Sequence, residues 1–158
     1  MTWLQPPAHV HAMVTESWQP NAVNFTLTGG CEGLNVSAGD VAVVASEDGA
    51  VVTVRVVNDR NASISITVAV SSAMDRGLDQ TADSPAQVHY SLLEGSDCAA
   101  TKQWPYESEN AAPCANTPAQ PGLFAPTPWR AVAAAEDGEG GGAVAVPGYS
   151  YAVFRLAK

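Results

Sequence analysis

Hydrophobic and polar residues alternate through Val41–Val70, and two short polar turns, "EDG" and "NDRNA", divide this stretch. A period of two with one apolar face is the pattern of an antiparallel sheet that has one solvent-exposed side. The apolar face then requires a second layer, which predicts a sandwich or barrel. The side chains expected to point inward are Val52, Val54, Val56, Ile64, Ile66, Val68 and Val70; Thr53, Arg55, Ser63, Ser65 and Thr67 are expected to point outward.

The segment "PPAHVHAMVTESW" has a different period and predicts one short helix near the start of the chain. A proline suits the first helical position. The apolar side chains then share one face at helical spacing: Val10, Met13, Val14 and Trp18.

Further strands are predicted at Ala22–Thr28, at Gln87–Leu93 and in the final "GYSYAVFRL". Residues 94–128 have little periodicity and form an irregular insertion, and "EDGEGGG" is a flexible one. The fold class we expect is all-β, an antiparallel, jelly-roll-like β-sandwich preceded by one short helix. The helix occupies residues 1–20 and the sandwich residues 21–158.

Charge and hydropathy narrow the range of partners. The net charge is −9 with only seven Lys and Arg residues, scattered along the chain. A nucleic-acid-binding protein carries a basic stripe instead, so we expect no nucleic-acid partner. No apolar run approaches 18 residues, so we expect no membrane span. The first residues have neither the basic nor the long apolar region of a signal peptide.

The three cysteines are Cys31, Cys98 and Cys114. Cys98 and Cys114 flank a polar segment of a length that favours a stabilising disulfide. The cysteines and histidines lack the close spacing of a zinc site, so we expect no metal and no cofactor.

Three N-x-[ST] sequons begin at Asn24, Asn35 and Asn61. They are either coincidental in a chain rich in Ser and Thr or sites of N-glycosylation. Their use would place the full-length protein outside the cell or in the secretory pathway, with the signal outside this chain.

Candidate chemistry is sparse. A glycosidase needs two carboxylates on rigid elements, but nearly all acidic residues here fall in predicted turns or loops. No nucleophile elbow, metalloprotease helix or phosphate-binding loop is present. Trp104, Tyr106 and Trp129 cluster in the irregular region, where they either stack on a sugar or pack the loop onto the sandwich.

Three segments together resemble the C-terminal part of α-L-arabinofuranosidases of glycoside hydrolase family 51. "WLQPPAHVHAMVTESW" is similar to the end of that family's catalytic barrel. "VVASEDGAVVTVRVVNDRNASISITV" is similar to its central hairpin, with "V-V-N" before a turn. "NTPAQPGLFAP" and "VPGYSYAVFRL" are similar to its closing segment, and residues 96–115 are unmatched.

The resemblance implies a sandwich packed on a (β/α)8 barrel, in a retaining enzyme that removes terminal arabinofuranose from polysaccharides in L-arabinose metabolism. The barrel motifs that hold its acid/base and nucleophile Glu are absent from this sequence, so no catalytic residue is transferred. We therefore expect an accessory domain whose partner is the barrel, with arabinose-containing polysaccharide as a further ligand, and whether the chain is itself an enzyme stays open. The alternatives are a carbohydrate-binding module and a non-catalytic extracellular interaction domain.

Overall fold

The computed structural model describes residues 6–28, 40–60, 62–68, 87–94, 124–133 and 142–157. Within these ranges the chain forms one helix and eight strands, which confirms the all-β class with a short helix at its start. They are α1 (Pro6–Glu16), β1 (Asn21–Ala22), β2 (Val41–Ala45), β3 (Val51–Asn58), β4 (Ile64–Ile66), β5 (Gln87–Leu93), β6 (Arg130–Ala131), β7 (Val144–Val146) and β8 (Ser150–Ala157).

The strands form two antiparallel sheets, as a sandwich requires. The larger has the order β1-β2-β3-β8-β5-β6, and the smaller pairs β4 with β7. Apolar residues of both sheets enclose one core, with Val56 and Phe154 from the larger sheet and Ile64 and Val146 from the smaller. Each such side chain contributes about 1.5–3 kcal/mol when fully buried, so this core is the main stabilising term.

The hairpin between β2 and β3 has the predicted turn. Gly49 takes a φ of +70°, a conformation that favours glycine. The Ser46 hydroxyl and the Ala50 N–H donate hydrogen bonds to Asp48 Oδ1, at 2.6 and 3.0 Å. These bonds, the one from Ser46 first, hold the pKa of the Asp48 carboxyl below its ordinary value.

The predicted solvent-exposed face of the larger sheet is covered in its centre, which corrects that expectation. Thr53 points away from the sandwich core, yet it is only 1% exposed. Val153 on the same face is also 1% exposed, because α1 packs against it. The alternation correctly predicted which residues point to each face of the sheet. It carried no information about a helix that covers the face pointing away from the sandwich core.

Two other expectations were wrong in detail. Within the predicted strand Ala22–Thr28 only Ala22 lies in a strand; Val23 still donates its N–H to Val43 O at 3.0 Å. Strand propensity alone does not form a strand without a neighbour to pair with. Trp18 is 62% exposed because α1 ends at Glu16, before the predicted apolar face is complete.

Part of the predicted irregular insertion lies along β5. Thr127 donates its N–H to Leu92 O at 2.7 Å, and its hydroxyl accepts the Leu92 N–H at 2.9 Å. Farther along, Val132 N–H donates to Val88 O at 2.8 Å. These bonds cover the outer edge of β5, which would otherwise present unpaired backbone groups.

The β4 region has the predicted alternation. Ile64 is buried and Ile66 and Val68 are half-buried, whereas Ser63, Ser65 and Thr67 are exposed; Val70 lies outside the described residues. The strand itself is shorter than predicted, because it pairs only with the three residues of β7.

We expect Ile64→Ala to lower the free energy of unfolding by about 2–5 kcal/mol, because it leaves a cavity in the sandwich core. Urea unfolding measures this. Ser65→Ala, one position along on the exposed side, is the control and should change stability by less than about 0.5 kcal/mol. Equal costs at the two positions would contradict the strand register.

Candidate functional surface

The outer face of the larger sheet carries a second, smaller apolar cluster beneath α1. Met13 is buried there against Leu93, Tyr151 and Val153. Val10 and Val14 pack against the same cluster, so three of the four predicted helix-face residues do face the sheet. The helix is therefore fixed on the sheet by its own apolar face.

Arg55 holds the C-terminal end of α1. Its Nε donates to Ser17 Oγ at 3.3 Å and its Nη2 donates to Ser17 O at 3.0 Å. The Ser17 hydroxyl in turn donates to Met13 O at 2.6 Å. The last carbonyls of a helix need partners and favour a positive charge nearby. Arg55 supplies both, so an outward-pointing polar residue of β3 fixes the helix end.

Tyr151 has a buried hydroxyl for which the described part of the chain provides no hydrogen-bond partner. Burial raises the pKa of this phenol above its ordinary value, and the positive charge of Arg55 opposes that rise. The Thr53 hydroxyl is likewise buried without a partner among the described residues.

Asn58 joins the two sheets at the opposite side of the larger sheet. Its side chain is fully buried, and its Nδ2 lies 2.8 Å from Ala62 O, 3.1 Å from Val146 O and 2.8 Å from Pro147 O. Its Oδ1 accepts the Arg60 N–H at 3.3 Å. One amide therefore ties the β3–β4 connection to the β7–β8 connection.

The β7–β8 connection is fixed by backbone geometry as well. Tyr149 has a φ of 54°, in the left-handed region that non-glycine residues rarely occupy. Its N–H donates to Arg60 O at 2.9 Å. Arg60 also forms an ion pair with Asp40 at 3.5 Å. The turn is thus held by the same β3–β4 connection that Asn58 organises.

Aromatic side chains lie at the C-terminal end of α1. The Trp129 Nε1–H donates to Glu16 Oε1 at 3.2 Å, and the indole is 36% exposed. Trp18 follows two positions after Glu16 and is more exposed. Trp129 alone of the three predicted sugar-contact residues lies within the described part of the chain, and it is accessible there.

Of the remaining predicted site residues, one lies within the described ranges and the others lie outside them. Asn24 is exposed in the segment that follows β1, which leaves its glycosylation a prediction. The other residues singled out from the sequence lie outside the described ranges: Cys31, Asn35, Asn61, Cys98, Trp104, Tyr106 and Cys114. The disulfide between Cys98 and Cys114 therefore also stays a prediction.

Among the described residues, no three His, Cys, Asp or Glu side chains come together as ligands of one ion. Nor does the part of the chain described in the structure contain a helix long and apolar enough to cross a membrane.

Sequence reasoning did not identify Asn58 and Arg55 as structural centres. For Asn58 a signal was present, because it continues the inward-pointing series of Val52, Val54 and Val56. A polar residue at such a position must find buried partners. For Arg55 the sequence held no such signal, since an outward-pointing arginine is ordinary on an exposed sheet face.

Comparison with known proteins gave no match to a family model and none to a curated protein. Among solved structures, the chain is similar to a family 51 arabinofuranosidase from Xanthomonas axonopodis pv. citri, with 20% identity, a TM-score of 0.47, and coverage of 98% of this chain and 26% of that one. The chain is also similar to the thermostable family 51 α-L-arabinofuranosidase of Thermotoga petrophila RKU-1, with 21% identity, a TM-score of 0.44, and coverage of 73% of this chain and 18% of that one.

A third similar structure is the arabinose complex of α-L-arabinofuranosidase from Thermotoga maritima, with 15% identity, a TM-score of 0.43, and coverage of 75% of this chain and 19% of that one. The chain thus spans about a quarter or less of the length of these three enzymes.

We expect Asn58→Ala to lower the free energy of unfolding by about 3–5 kcal/mol, because the buried Val146 carbonyl and the partly buried Ala62 and Pro147 carbonyls lose the side-chain amide that contacts them. Denaturant unfolding measures this. Asp59→Ala changes the exposed neighbour and should cost less than about 0.5 kcal/mol. A loss below about 1 kcal/mol at Asn58 would show that the amide does not join the two connections.

For Tyr151→Phe we expect a change in stability of less than about 1 kcal/mol at pH 7, because the lost hydroxyl has no hydrogen-bond partner among the described residues. Because the pKa of the Tyr151 phenol is raised in the folded state, the wild-type protein keeps its full free energy of unfolding below about pH 10. It loses part of that free energy as the pH rises through the folded-state pKa of Tyr151. Tyr151→Phe should remove that alkaline loss, and Tyr149→Phe should retain it. Denaturant unfolding of the wild type and both variants between pH 7 and 11 measures this. If the unfolding free energy falls equally with pH in all three proteins, Tyr151 is not the residue responsible for the alkaline loss.

Proposed function

We propose that this chain is the C-terminal β-sandwich accessory domain of an α-L-arabinofuranosidase-like glycoside hydrolase. The full-length protein would remove terminal arabinofuranose from arabinose-containing polysaccharides. In this proposal the catalytic carboxylates belong to a (β/α)8 barrel outside the chain, and the sandwich stabilises and orients that barrel.

The observation that carries the proposal is that described parts of all three resembling segments contact one another. The first segment contains α1 and, directly after it, Ser17, which is held by Arg55 of the second segment. The second also contains Asn58, which binds Val146 O and Pro147 O next to the closing segment's final strand. Residues that resemble one family in three separate places thus build one packed unit, as expected if the resemblance reflects a shared domain.

The environment of the acidic residues agrees with an accessory role. Asp48 is engaged by the β2–β3 turn, Asp40 pairs with Arg60, and Glu16 accepts the indole N–H of Trp129. Each of these carboxylates has a structural partner. A retaining glycosidase instead holds two carboxyl groups about 5–5.5 Å apart across the scissile bond.

The partner and location follow from the same proposal. The barrel would be the principal partner, and the full-length protein would act outside the cell or in the secretory pathway. Glycosylation at Asn24 would be compatible with that location, because this residue is exposed.

The test combines gene structure with activity. We expect the coding sequence immediately upstream of Met1 to continue an open frame with alternating strand and helix patterns. The longer protein should hydrolyse an aryl α-L-arabinofuranoside, whereas the 158-residue chain should give no turnover above background. Turnover by the short chain would overturn the accessory role, and an upstream frame without that pattern would overturn the domain assignment.

In the longer protein, Asn58→Ala should lower the temperature of irreversible inactivation while leaving kcat at 25 °C unchanged, because it loosens the sandwich and not the catalytic carboxylates. Asp59→Ala is the matched control and should change neither value. A loss of kcat at 25 °C in folded Asn58→Ala protein would place the sandwich closer to the chemistry than proposed.

A further inference from the structure

The β2–β3 turn contains the dipeptide Asp48–Gly49, a sequence prone to spontaneous rearrangement of the main chain. In this reaction the Gly49 nitrogen attacks Asp48 Cγ, a C–N bond forms, and the carboxyl OH leaves with the amide proton as water. Water then opens the resulting succinimide ring. Attack at Cγ restores aspartate, whereas attack at the main-chain carbonyl carbon of Asp48 gives isoaspartate. The net reaction is an isomerisation that needs no other reactant.

Packing does not protect this dipeptide. The Asp48 side chain is exposed to solvent. Glycine has no Cβ, so no side chain hinders the attacking nitrogen. Beyond the chain neighbours of Gly49, no described atom lies within 4 Å of the position that a Cβ would take there. The rate of ring closure in the folded chain therefore depends on the hydrogen bonds of the turn.

Those hydrogen bonds hold both reacting groups in unreactive states. Asp48 Oδ1 accepts bonds from the Ser46 hydroxyl at 2.6 Å and from the Ala50 N–H at 3.0 Å. Ring closure requires the neutral carboxyl group, whereas these bonds favour the carboxylate and hold the pKa of Asp48 below its ordinary value. The Gly49 N–H donates to Ser46 O at 3.0 Å, so the nitrogen is engaged as well.

Ser46 is in turn held by the sheet. Its hydroxyl accepts the Val51 N–H at 3.0 Å, and its own N–H donates to Val51 O at 2.9 Å. These bonds fix Ser46 between the end of β2 and the start of β3, so its hydroxyl is already oriented towards Asp48. Removal of this hydroxyl would release the carboxylate without removing either strand.

We propose that Asp48–Gly49 is a latent site of isoaspartate formation, and that the Ser46 hydroxyl suppresses this modification while the hairpin is closed. In isoaspartate the main chain runs through Cβ and Cγ, which lengthens the turn by one carbon and attaches the carboxylate directly to Cα. The Ser46 bond is then lost, and the adjacent pair of Ala45 and Val52 loses the turn that aligns it. Modification would therefore open this end of the hairpin, and it is independent of the accessory role proposed above.

Ageing of the folded 158-residue chain at neutral pH tests the proposal. Mass spectrometry of proteolytic peptides, with electron-transfer fragmentation, distinguishes isoaspartate from aspartate at each position. We expect Ser46→Ala to raise the initial rate at Asp48 by about three- to tenfold, because a hydrogen bond to a charged but solvent-exposed group is lost. Ser46→Thr keeps the hydroxyl and should age at the wild-type rate.

The chain also contains an internal reference for the intrinsic reactivity. Asp137–Gly138 follows a glutamate, as Asp48–Gly49 does, so both sites have the sequence Glu-Asp-Gly. In the chain unfolded with urea, the two sites should rearrange at similar rates. Folding should slow the reaction at Asp48 by at least the factor that Ser46→Ala restores.

Ile64→Val is the matched control for global stability. It removes one methyl group from the sandwich core, in a strand that pairs with neither β2 nor β3, so it destabilises the fold without changing the turn. Its rate at Asp48 should equal that of the wild type, and thermal unfolding should show that every variant stays folded during ageing. Three results would overturn the proposal: equal rates at Asp48 in the folded and the urea-unfolded wild type, a wild-type rate in Ser46→Ala, or an increase in Ile64→Val as large as that in Ser46→Ala.

Discussion

Burial of β8 from both sides is the constraint on which the rest of the structure depends. Its alternate residues Ala152, Phe154 and Leu156 face the sandwich core, whereas Tyr151 and Val153 face α1. The same strand pairs with β3 on one edge and with β5 on the other. The helix, the smaller sheet and both halves of the larger sheet are therefore stabilised through contacts with one strand.

Two polar side chains add hydrogen bonds to this apolar packing. Arg55 binds the end of α1, and Asn58 binds the connections that lead to β4 and β8. Both lie on β3, the direct neighbour of β8, and they serve opposite faces of the larger sheet. Hydrogen bonds of this kind add little net energy when they are made but cost much when one partner is removed. They therefore fix how the helix and the smaller sheet sit on the larger one.

The parts of the fold that were predictable are those with a local signal. Alternation over Val51–Asn58 and Gln87–Leu93 gave strands with the observed bounds, because the two-residue period is visible without knowing any partner. β7 was missed because three residues are too few to show a period. The covered outer face was missed because helix docking is a tertiary event, and Thr53 and Arg55 are ordinary residues for a wet face.

The candidate surface was also only partly predictable from the sequence. Trp129 was identifiable as an aromatic residue in an irregular region, but its partner Glu16 lies near the other end of the sequence. No spacing rule relates two such positions. Only the pairing of β6 with β5, and the position of α1 on the same sheet, bring the indole and the carboxylate together.

The central position of β8 also affects how the protein is made. Among the described strands β8 comes last along the chain, yet it lies between β3 and β5. During synthesis, β3 and β5 would both leave the ribosome before the strand that joins them, with unpaired backbone edges. Such long-range pairing slows folding and exposes strand edges that can aggregate. A nascent chain that stalls before Ser150 would therefore depend on chaperones to remain soluble.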